Sequence, residues 1–451
     1  MNLAADVAGN RKVLLKFGKN TLWLLANNVI AAALALLAAV LVARHLGPAD
    51  FGRLAYVWSL AALFGVIGHL GLDGIFVREL KLRAGHEAEV LGTMVFIKFL
   101  AFFFAALALL LFGFYFPKHD STDHLLFVFA SSAVLLSVIM ILNGWFNARV
   151  EGHFVAIAGV SGVLGATLTK VVLVATGSSV VLFGAANVLS VLLTGILLAI
   201  FYLWTGGPRF PLWRFNKTLA MRMTREGGLI FIGSIFAVIY LKIDIVMLRW
   251  LSESRVVGEY AVAAQISEAT YIIPAAIVVS LFPKLVELKL QNGLDYQIRL
   301  QQLFDLLLLI AILPIVFVYI FGEDLMPLLF GNEYVNSAAI LLIHMLAAPF
   351  IFMRYAFSRW IIVEQLAIFS VVTQGCGAFF NVALNLLLIP MFGGEGAAIA
   401  TVVSYATASY ISLSLSVRTR PIFWMMSKAL FTPWNAFFRV LQAVTPARKG
   451  T

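Results

Sequence analysis

Apolar windows of about 20 residues, the length an α-helix needs to cross a bilayer, follow one another along almost the whole chain. Glycine, proline or small clusters of charge separate them. The pattern predicts about twelve spans, at residues 20–43, 54–73, 90–116, 124–146, 153–176, 179–203, 227–250, 258–283, 301–321, 337–361, 365–388 and 396–417. The predicted fold class is an all-α polytopic membrane protein.

Composition supports this class. The chain has 451 residues, of which 62% are hydrophobic and 12% charged, and its mean hydropathy is +0.98. A soluble domain would carry roughly 25% charged residues. The first apolar run, residues 22–43, exceeds the roughly 7–15-residue core of a cleaved signal peptide, so we expect an uncleaved first helix. The single cysteine, Cys376, excludes an internal disulfide.

Basic residues mark one side of the predicted membrane. One set of helix ends carries Arg11, Lys12, Lys16, Lys19, Arg78, Lys81, Arg83, Arg149, Arg209, Arg214, Lys217, Arg222, Arg225, Lys284, Lys289, Arg299, Arg354, Arg359 and a basic tail from Arg418 to Lys449. The alternate ends carry only Arg44, Arg53, Lys118, Arg249 and Arg255. The positive-inside rule places the first set, and both termini, in the cytoplasm. Because this rule explains most of the net charge of +10, we expect no nucleic-acid partner.

An internal repeat divides the chain. Arg44-x-Leu46 and Phe51-Gly-x-Leu-Ala55 are echoed by Arg249-x-Leu251 and Val257-Gly-x-Tyr-Ala261, and Gly184-Ala-Ala is echoed by Gly396-Ala-Ala. Six helices per half give both halves one orientation, as in transporters built from parallel repeats. We therefore predict an N-lobe (1–203), a cytoplasmic linker (204–226), a C-lobe (227–417) and a cytoplasmic amphipathic tail (418–451). A partly buried hairpin is the alternative for the tail.

Charged residues within the spans are the candidate functional residues. A Lys, Arg or Asp at mid-bilayer costs about 2.5–3.5 kcal/mol, so it must face water or a partner. The basic candidates for an anion path are Lys98, Lys170, Lys242, Arg78 and Arg354. The structural alternative is that these side chains extend to the interface or pair with carboxylates. The amides Asn27, Asn28 and Gln265 are suited either to sugar hydroxyls or to cross-linking of helices.

The acidic residues within the spans also have two possible interpretations. Lys242 and Asp244 are two positions apart and point to different helix faces, so they do not satisfy each other. Asp244 and Glu268 either bind a coupling cation, a proton or sodium, or pair with a lysine. Asp73 and Glu79 are predicted to form a structural cluster with Arg78 at the inner mouth.

Several chemistries are missing from the sequence. It has no GxxxxGK[ST] phosphate-binding loop, no histidines at metal-ligand spacing and no recognisable Ser/His/Asp set. We therefore expect a transporter rather than an enzyme, with no cofactor and no bound metal, driven if at all by an ion gradient.

Seven stretches together resemble the polysaccharide transporter family of lipid-linked oligosaccharide flippases (O-antigen, or Wzx-type). This family belongs to the multidrug/oligosaccharidyl-lipid/polysaccharide (MOP) exporter superfamily. The stretches are Ala43-Arg-His-Leu-Gly-Pro-Ala-Asp-Phe-Gly52, Gly71-Leu-Asp-Gly-Ile-Phe-Val-Arg-Glu-Leu80, Asn143-Gly-Trp-Phe-Asn-Ala-Arg149, Lys242-Ile-Asp-Ile-Val-Met-Leu248, Val257-Gly-Glu-Tyr-Ala261, Leu384-Asn-Leu-Leu-Leu-Ile-Pro390 and Gly396-Ala-Ala-Ile-Ala-Thr401.

The resemblance implies two six-helix lobes around a central cationic cavity and rocker-switch alternating access. It implies a cavity lined by helices one, two, seven and eight, which favours Asn27, Asn28, Arg78, Lys242, Asp244, Gln265 and Glu268. The expected substrate is an undecaprenyl-pyrophosphate-linked oligosaccharide, moved to the outer leaflet of the bacterial cytoplasmic membrane. The expected partners are membrane lipids, a glycan polymerase and other polysaccharide-assembly proteins.

Two other functions stay open. A cation-coupled drug exporter of the same superfamily would need an acid-dominated cavity, whereas the charge excess inside the predicted spans is basic. A membrane glycan polymerase or ligase would need a sizeable external loop, and the predicted external loops are short.

Overall fold

A computed structural model describes the backbone of residues 3–116, 119–291, 293–435 and 439, which contain fifteen α-helices and no β-strand. The helices are α1 (Leu3–His69), α2 (Asp73–Leu82), α3 (Glu87–Tyr115), α4 (Ser121–Leu136), α5 (Ile141–Ala148), α6 (Gly152–Ala175), α7 (Val180–Trp204), α8 (Lys217–Leu251), α9 (Ser254–Ala269), α10 (Ile272–Gln291), α11 (Gly293–Phe330), α12 (Ser337–Met345), α13 (Ala348–Val363), α14 (Ala367–Ser409) and α15 (Arg420–Phe431). The all-helical prediction is confirmed.

The number of membrane crossings follows from two breaks in long helices. The described residues contain nine segments long and apolar enough to span, or ten if the bent pair α12 and α13 is one span. Asn27–Leu82 has 56 residues, roughly 84 Å of helix against a hydrocarbon core of about 30 Å. It is broken at Gly47 (φ 73°), and α14 is broken at Gly393 (φ 55°). Counting each broken segment twice brings the ten segments to the twelve predicted spans.

The chain divides into two compact units. The N-terminal unit contains Met1–Leu46 and Arg53–Ile235. Its core joins α2, α3, α5 and α7 through buried side chains that include Phe76, Met94, Trp145 and Leu198. The small residues Gly68, Gly113 and Gly144 each lie against a phenylalanine ring, so helices approach closely in this unit.

The C-terminal unit contains Gly47–Gly52 and Phe236–Thr451. One core of this unit contains Phe304 of α11 together with Phe352 and Phe357 of α13. The amphipathic α15 adds Ile422 and Met426 from one face to this core. Other side chains of the tail, such as Trp424 and Phe431, are exposed.

Arg439 attaches the described part of the tail to α11 through an ion pair with a buried carboxylate. Arg439 donates to both oxygens of Asp305, at 2.6 and 2.8 Å, and Asp305 is fully buried. This contact raises the pKa of Arg439, because the carboxylate stabilises the guanidinium. Residues 440–451 of the predicted tail lie outside the described residues.

The predicted linker, residues 204–226, is irregular only in its first part. A short 3₁₀ turn lies at Phe210–Leu212, and α8 already begins at Lys217. Asn216 caps this helix, because its Oδ1 accepts the Leu219 N–H at 2.9 Å. The apolar window located the membrane part of α8 and missed its polar first turns.

The repeated glycines contact one another in the C-terminal unit. A Cβ on Gly52 would overlap the carbonyl oxygen of Ser254 and lie 2.8 Å from the Gly258 nitrogen. A Cβ on Gly258 would overlap the carbonyl oxygen of Pro48. Each glycine therefore meets the residue four positions before the other. The two copies of the repeat pack together through a reciprocal backbone contact that only glycine permits.

Candidate functional site

A buried polar network surrounds Asp244 on α8. Its carboxylate accepts hydrogen bonds from the Tyr260 hydroxyl (2.9 Å), the Thr401 hydroxyl (2.7 Å) and the Asn385 amide nitrogen (2.6 Å). These donors come from α9 and α14, and Asp244 is only 3% exposed. Neutral donors compensate part of the cost of burying a carboxylate.

Two amides in this network have unsatisfied atoms. Asn381 and Asn385 are one helical turn apart on α14, and the Asn385 amide also donates to Asn381 Oδ1 at 3.0 Å. The Asn385 Oδ1 and the Asn381 Nδ2 are buried and have no hydrogen-bond partner among the described residues. Turning the Asn385 amide over would replace this donor by its Oδ1, which faces the Asp244 carboxylate favourably only with a cation between the two oxygens. Such an oxygen-rich group is suited to a hard cation.

Lys242 and Glu268 form a second polar pair in this unit. The Lys242 ammonium lies 2.9 Å from each Glu268 oxygen, and the side chains are 30% and 34% exposed. His344 is buried nearby, edge-on to Tyr260 with ring centroids 5.9 Å apart. Gln265 is half-buried on α9, one turn before Glu268. Within the described residues, no three His, Cys, Asp or Glu side chains converge on a metal position.

In the N-terminal unit, Lys98 is only 2% exposed and forms an ion pair with Asp73. Asp73 also lies 3.2 Å from His69 and keeps 63% of its side chain exposed. Asp73 is therefore held by Lys98 and His69. The pair presents its carboxylate to the solvent side and its ammonium to the protein.

Glu79 is the centre of a separate arginine cluster. The carboxylate is 2% exposed and pairs with Arg78 (3.0 Å), Arg83 (3.4 Å) and Arg222. Arg78 also pairs with Glu226 at the first turns of α8. The cluster ties α2 to α8, which accounts for the helical conformation of the predicted linker's second half.

Lys170 on α6 differs from the other two intramembrane lysines. It is partly buried within a span, and no hydrogen bond or ion pair joins it to another described residue. The side chain therefore has the desolvation cost of a charge without the compensation that Lys98 and Lys242 receive.

The remaining candidates have local contacts. Arg354 is buried, donates to the Ala408 carbonyl at 3.1 Å and lies over the Tyr240 ring at 5.8 Å. Asn27 donates to Asn28 at 3.3 Å and packs against α6 at Gly159. Asn28 is exposed.

Sequence reasoning missed two members of the Asp244 network, Tyr260 and Thr401. Both belong to quoted motifs, Tyr260 to Val257-Gly-Glu-Tyr-Ala261 and Thr401 to Gly396-Ala-Ala-Ile-Ala-Thr401. Membership of a motif was the signal that could have pointed to each residue, because a single hydroxyl in an apolar span does not otherwise indicate a functional site.

Known proteins share this architecture. The Lipid II flippase MurJ, in an inward closed conformation, matches with a TM-score of 0.68 at 13% identity, over 95% of this chain and 95% of that chain. The MATE transporter VcmN of Vibrio cholerae matches with a TM-score of 0.63 at 12% identity, over 96% and 97%. The uncharacterized membrane protein MJ1068 of Methanocaldococcus jannaschii is 25% identical over 415 residues, 86% of this chain and 81% of that protein.

The candidate spans and these matches define a multi-pass, all-helical membrane protein with the fold that MurJ and VcmN share. Residues 17–289 match the polysaccharide biosynthesis protein family, and the chain belongs to that family. The resemblance stated from the sequence motifs is thereby confirmed. Its family and structural relatives are transporters and flippases rather than enzymes.

Proposed function

We propose that this protein is a flippase for an oligosaccharide linked to undecaprenyl pyrophosphate. It works by alternating access in the bacterial cytoplasmic membrane, with both termini in the cytoplasm, and delivers its substrate to the outer leaflet for cell-surface polysaccharide assembly. Membership of a polysaccharide biosynthesis family supports the glycan part of this proposal. A glycan polymerase and other assembly proteins are the proposed partners that receive the product.

The observation that carries the proposal is Lys170. A partly buried ammonium without a partner among the described residues is stabilised when an anion binds beside it. The pyrophosphate of a lipid-linked glycan is such an anion. One contact at about 4 Å contributes roughly 4 kcal/mol at an effective dielectric constant of 20.

Lys98 and Lys242 have a different proposed role. Each is paired with a carboxylate, Asp73 or Glu268, and at least one partner in each pair is accessible. The substrate's phosphates compete with these carboxylates for the lysines as the substrate moves. The other proposed substrate contacts are Arg78, Arg354, Asn27, Asn28 and Gln265. Most of these side chains already have protein partners, which the substrate would have to displace.

We further propose that a cation gradient drives transport through Asp244. The buried carboxylate, the Thr401 hydroxyl and the two amides provide oxygen ligands for sodium, and protonation of Asp244 is the alternative. Glu268 is the second coupling candidate, although its pairing with Lys242 leaves it less available.

The test compares Lys170→Met with wild type in proteoliposomes that contain a pyrophosphate-linked oligosaccharide. Lys284→Met is the matched control, because Lys284 is an exposed lysine at another helix, paired with Glu287 at 2.9 Å. We expect at least a tenfold slower flipping rate for Lys170→Met and no change for the control. We also expect Lys170→Met to be as stable as wild type or more so, because an uncompensated charge is removed.

A wild-type flipping rate in Lys170→Met would contradict the proposed anion contact. Loss of activity together with loss of stability would assign Lys170 a structural role. Transport of small cations by the wild type, without glycan flipping, would favour the cation-coupled exporter.

A further inference from the structure

A cavity of about 380 Å³ opens in the N-terminal unit, at the ends of four candidate spans. Those spans end or begin at Leu82, Glu87, Ala148 and Gly152. Spans end where a membrane's hydrocarbon core gives way to its headgroups. The cavity therefore lies at headgroup level, and its volume is within the range of about 300–1,000 Å³ typical of small-molecule sites.

The walls of the cavity combine equal numbers of both charges. Lys81 and Arg149 provide two cations, and Glu87 and Glu151 provide two carboxylates. Arg149 and Glu151 are joined at 3.2 Å. The site has no net charge, so a doubly charged pyrophosphate would leave it with uncompensated negative charge. A ligand that carries one positive and one negative group can pair with both the carboxylates and the cations of the cavity wall.

Trp145 provides an unused hydrogen-bond donor in the same cavity. The residue is only 4% exposed, and its buried indole N–H has no acceptor among the residues that the structure describes. The Arg149 guanidinium lies over the indole ring, 5.2 Å from its centroid, and Tyr202 packs edge-on at 5.4 Å. A buried donor without an acceptor is unfavourable, and a phosphate oxygen would satisfy it.

The corner that joins α5 to α6 is held in a strained conformation. Val150 has a φ of 58°, which is rare for a β-branched residue. It lies between Arg149 and Glu151, which both line the cavity. A strained backbone of this kind persists where the surrounding structure holds it in place. Here the strained residue sets the spacing between the charges of Arg149 and Glu151.

We propose that this cavity binds the phosphoethanolamine headgroup of a zwitterionic membrane phospholipid. The phosphate contacts Lys81 and the Trp145 N–H, and the ammonium donates to Glu87 and Glu151. Leu80 and Ala148 contact the start of the acyl region. A choline headgroup has no N–H to donate, and Arg149 already covers the aromatic face that would otherwise attract it.

Native mass spectrometry of the full chain in detergent tests this proposal by titration with phosphatidylethanolamine, phosphatidylcholine and phosphatidylglycerol. We expect one phosphatidylethanolamine to bind at least fivefold more tightly than either other lipid. Glu87→Gln together with Glu151→Gln should remove that preference and leave phosphatidylglycerol binding unchanged or stronger. Trp145→Phe, which keeps an aromatic ring in the core, should weaken phosphatidylethanolamine binding about fivefold.

Lys284→Met together with Glu287→Gln is the matched control, since it removes an exposed pair of the same types elsewhere, and it should change nothing. Equal affinity for the three lipids would overturn the proposal, as would a phosphatidylethanolamine preference that survives Glu87→Gln and Glu151→Gln. Soluble glycerophosphoethanolamine that binds as tightly as the lipid would also overturn it, because the ligand would then be a free phosphodiester.

Discussion

Replacing Gly258 by alanine should destabilise the C-terminal unit, because its helix crossing leaves no space for a methyl group. The new Cβ would overlap the Pro48 carbonyl oxygen and lie 2.7 Å from the carbonyl carbon of that residue. These obstacles are backbone atoms, which cannot rotate away as a flexible side chain does. The chain segments must separate to admit the methyl group.

The magnitude follows from two opposing effects. Overpacking costs about 1–3 kcal/mol, and rigid backbone obstacles place this site in the upper part of that range. Alanine returns about 1 kcal/mol through its higher helix propensity. We expect a net loss of about 1–2 kcal/mol, which lowers the unfolding midpoint by roughly 2–8 °C for a unit of this size.

Thermal unfolding of the purified protein in detergent measures this effect. Gly228→Ala is the matched control, because Gly228 is also helical and a Cβ there would meet nothing within 4 Å. That variant should be as stable as wild type or more so. Gly52→Ala should reproduce the loss, since Gly52 is on the other side of the same contact. A Gly258→Ala midpoint equal to that of Gly228→Ala would refute the reasoning.

Three further predictions concern ion pairs. Arg439→Met should lower stability by about 3 kcal/mol in thermal unfolding, because it leaves the buried Asp305 carboxylate uncompensated, and Asp305→Asn added to it should restore much of the loss. Lys242→Met should lower the unfolding midpoint more than Lys242→Met combined with Glu268→Gln; equal midpoints would contradict the pairing. The pKa of Asp120 is lowered, because partial burial, which raises it, is outweighed by hydrogen bonds from the Asp123 N–H and Arg53. The stabilisation by the ionised Asp120 is therefore present above the unfolded-state pKa near 3.8 and lost as pH falls below it. Asp120→Asn should reduce the change of the unfolding midpoint between pH 5 and roughly pH 3.

Most of the membrane fold could be predicted from the sequence, because spanning length and charge placement are strong constraints on a helix in a bilayer. The helical start of α8 could not, since its polar turns at Lys217–Glu226 depend on the Asn216 cap and on arginine contacts with Glu79 and Glu226 from distant parts of the chain. Hydropathy identifies the membrane-spanning segments but does not predict such tertiary contacts.

The candidate site was predictable only where a charge was involved. Asp244, Glu268 and Lys170 stood out because an ionised group in a span is costly. Tyr260 and Thr401, whose hydroxyls contact Asp244, have no comparable cost and become visible only when α9 and α14 pack beside α8. Which lysine lacks a partner is likewise a property of the tertiary structure.

The most direct test of the central proposal is a flipping measurement with the purified wild-type protein. Proteoliposomes carry a pyrophosphate-linked oligosaccharide, and an impermeant reagent that modifies the glycan reports how much of it faces outward over time. We predict that vesicles with the protein expose the glycan to the reagent many times faster than protein-free vesicles. Equal rates with and without the protein, in vesicles where its fold is intact, would contradict the proposed function.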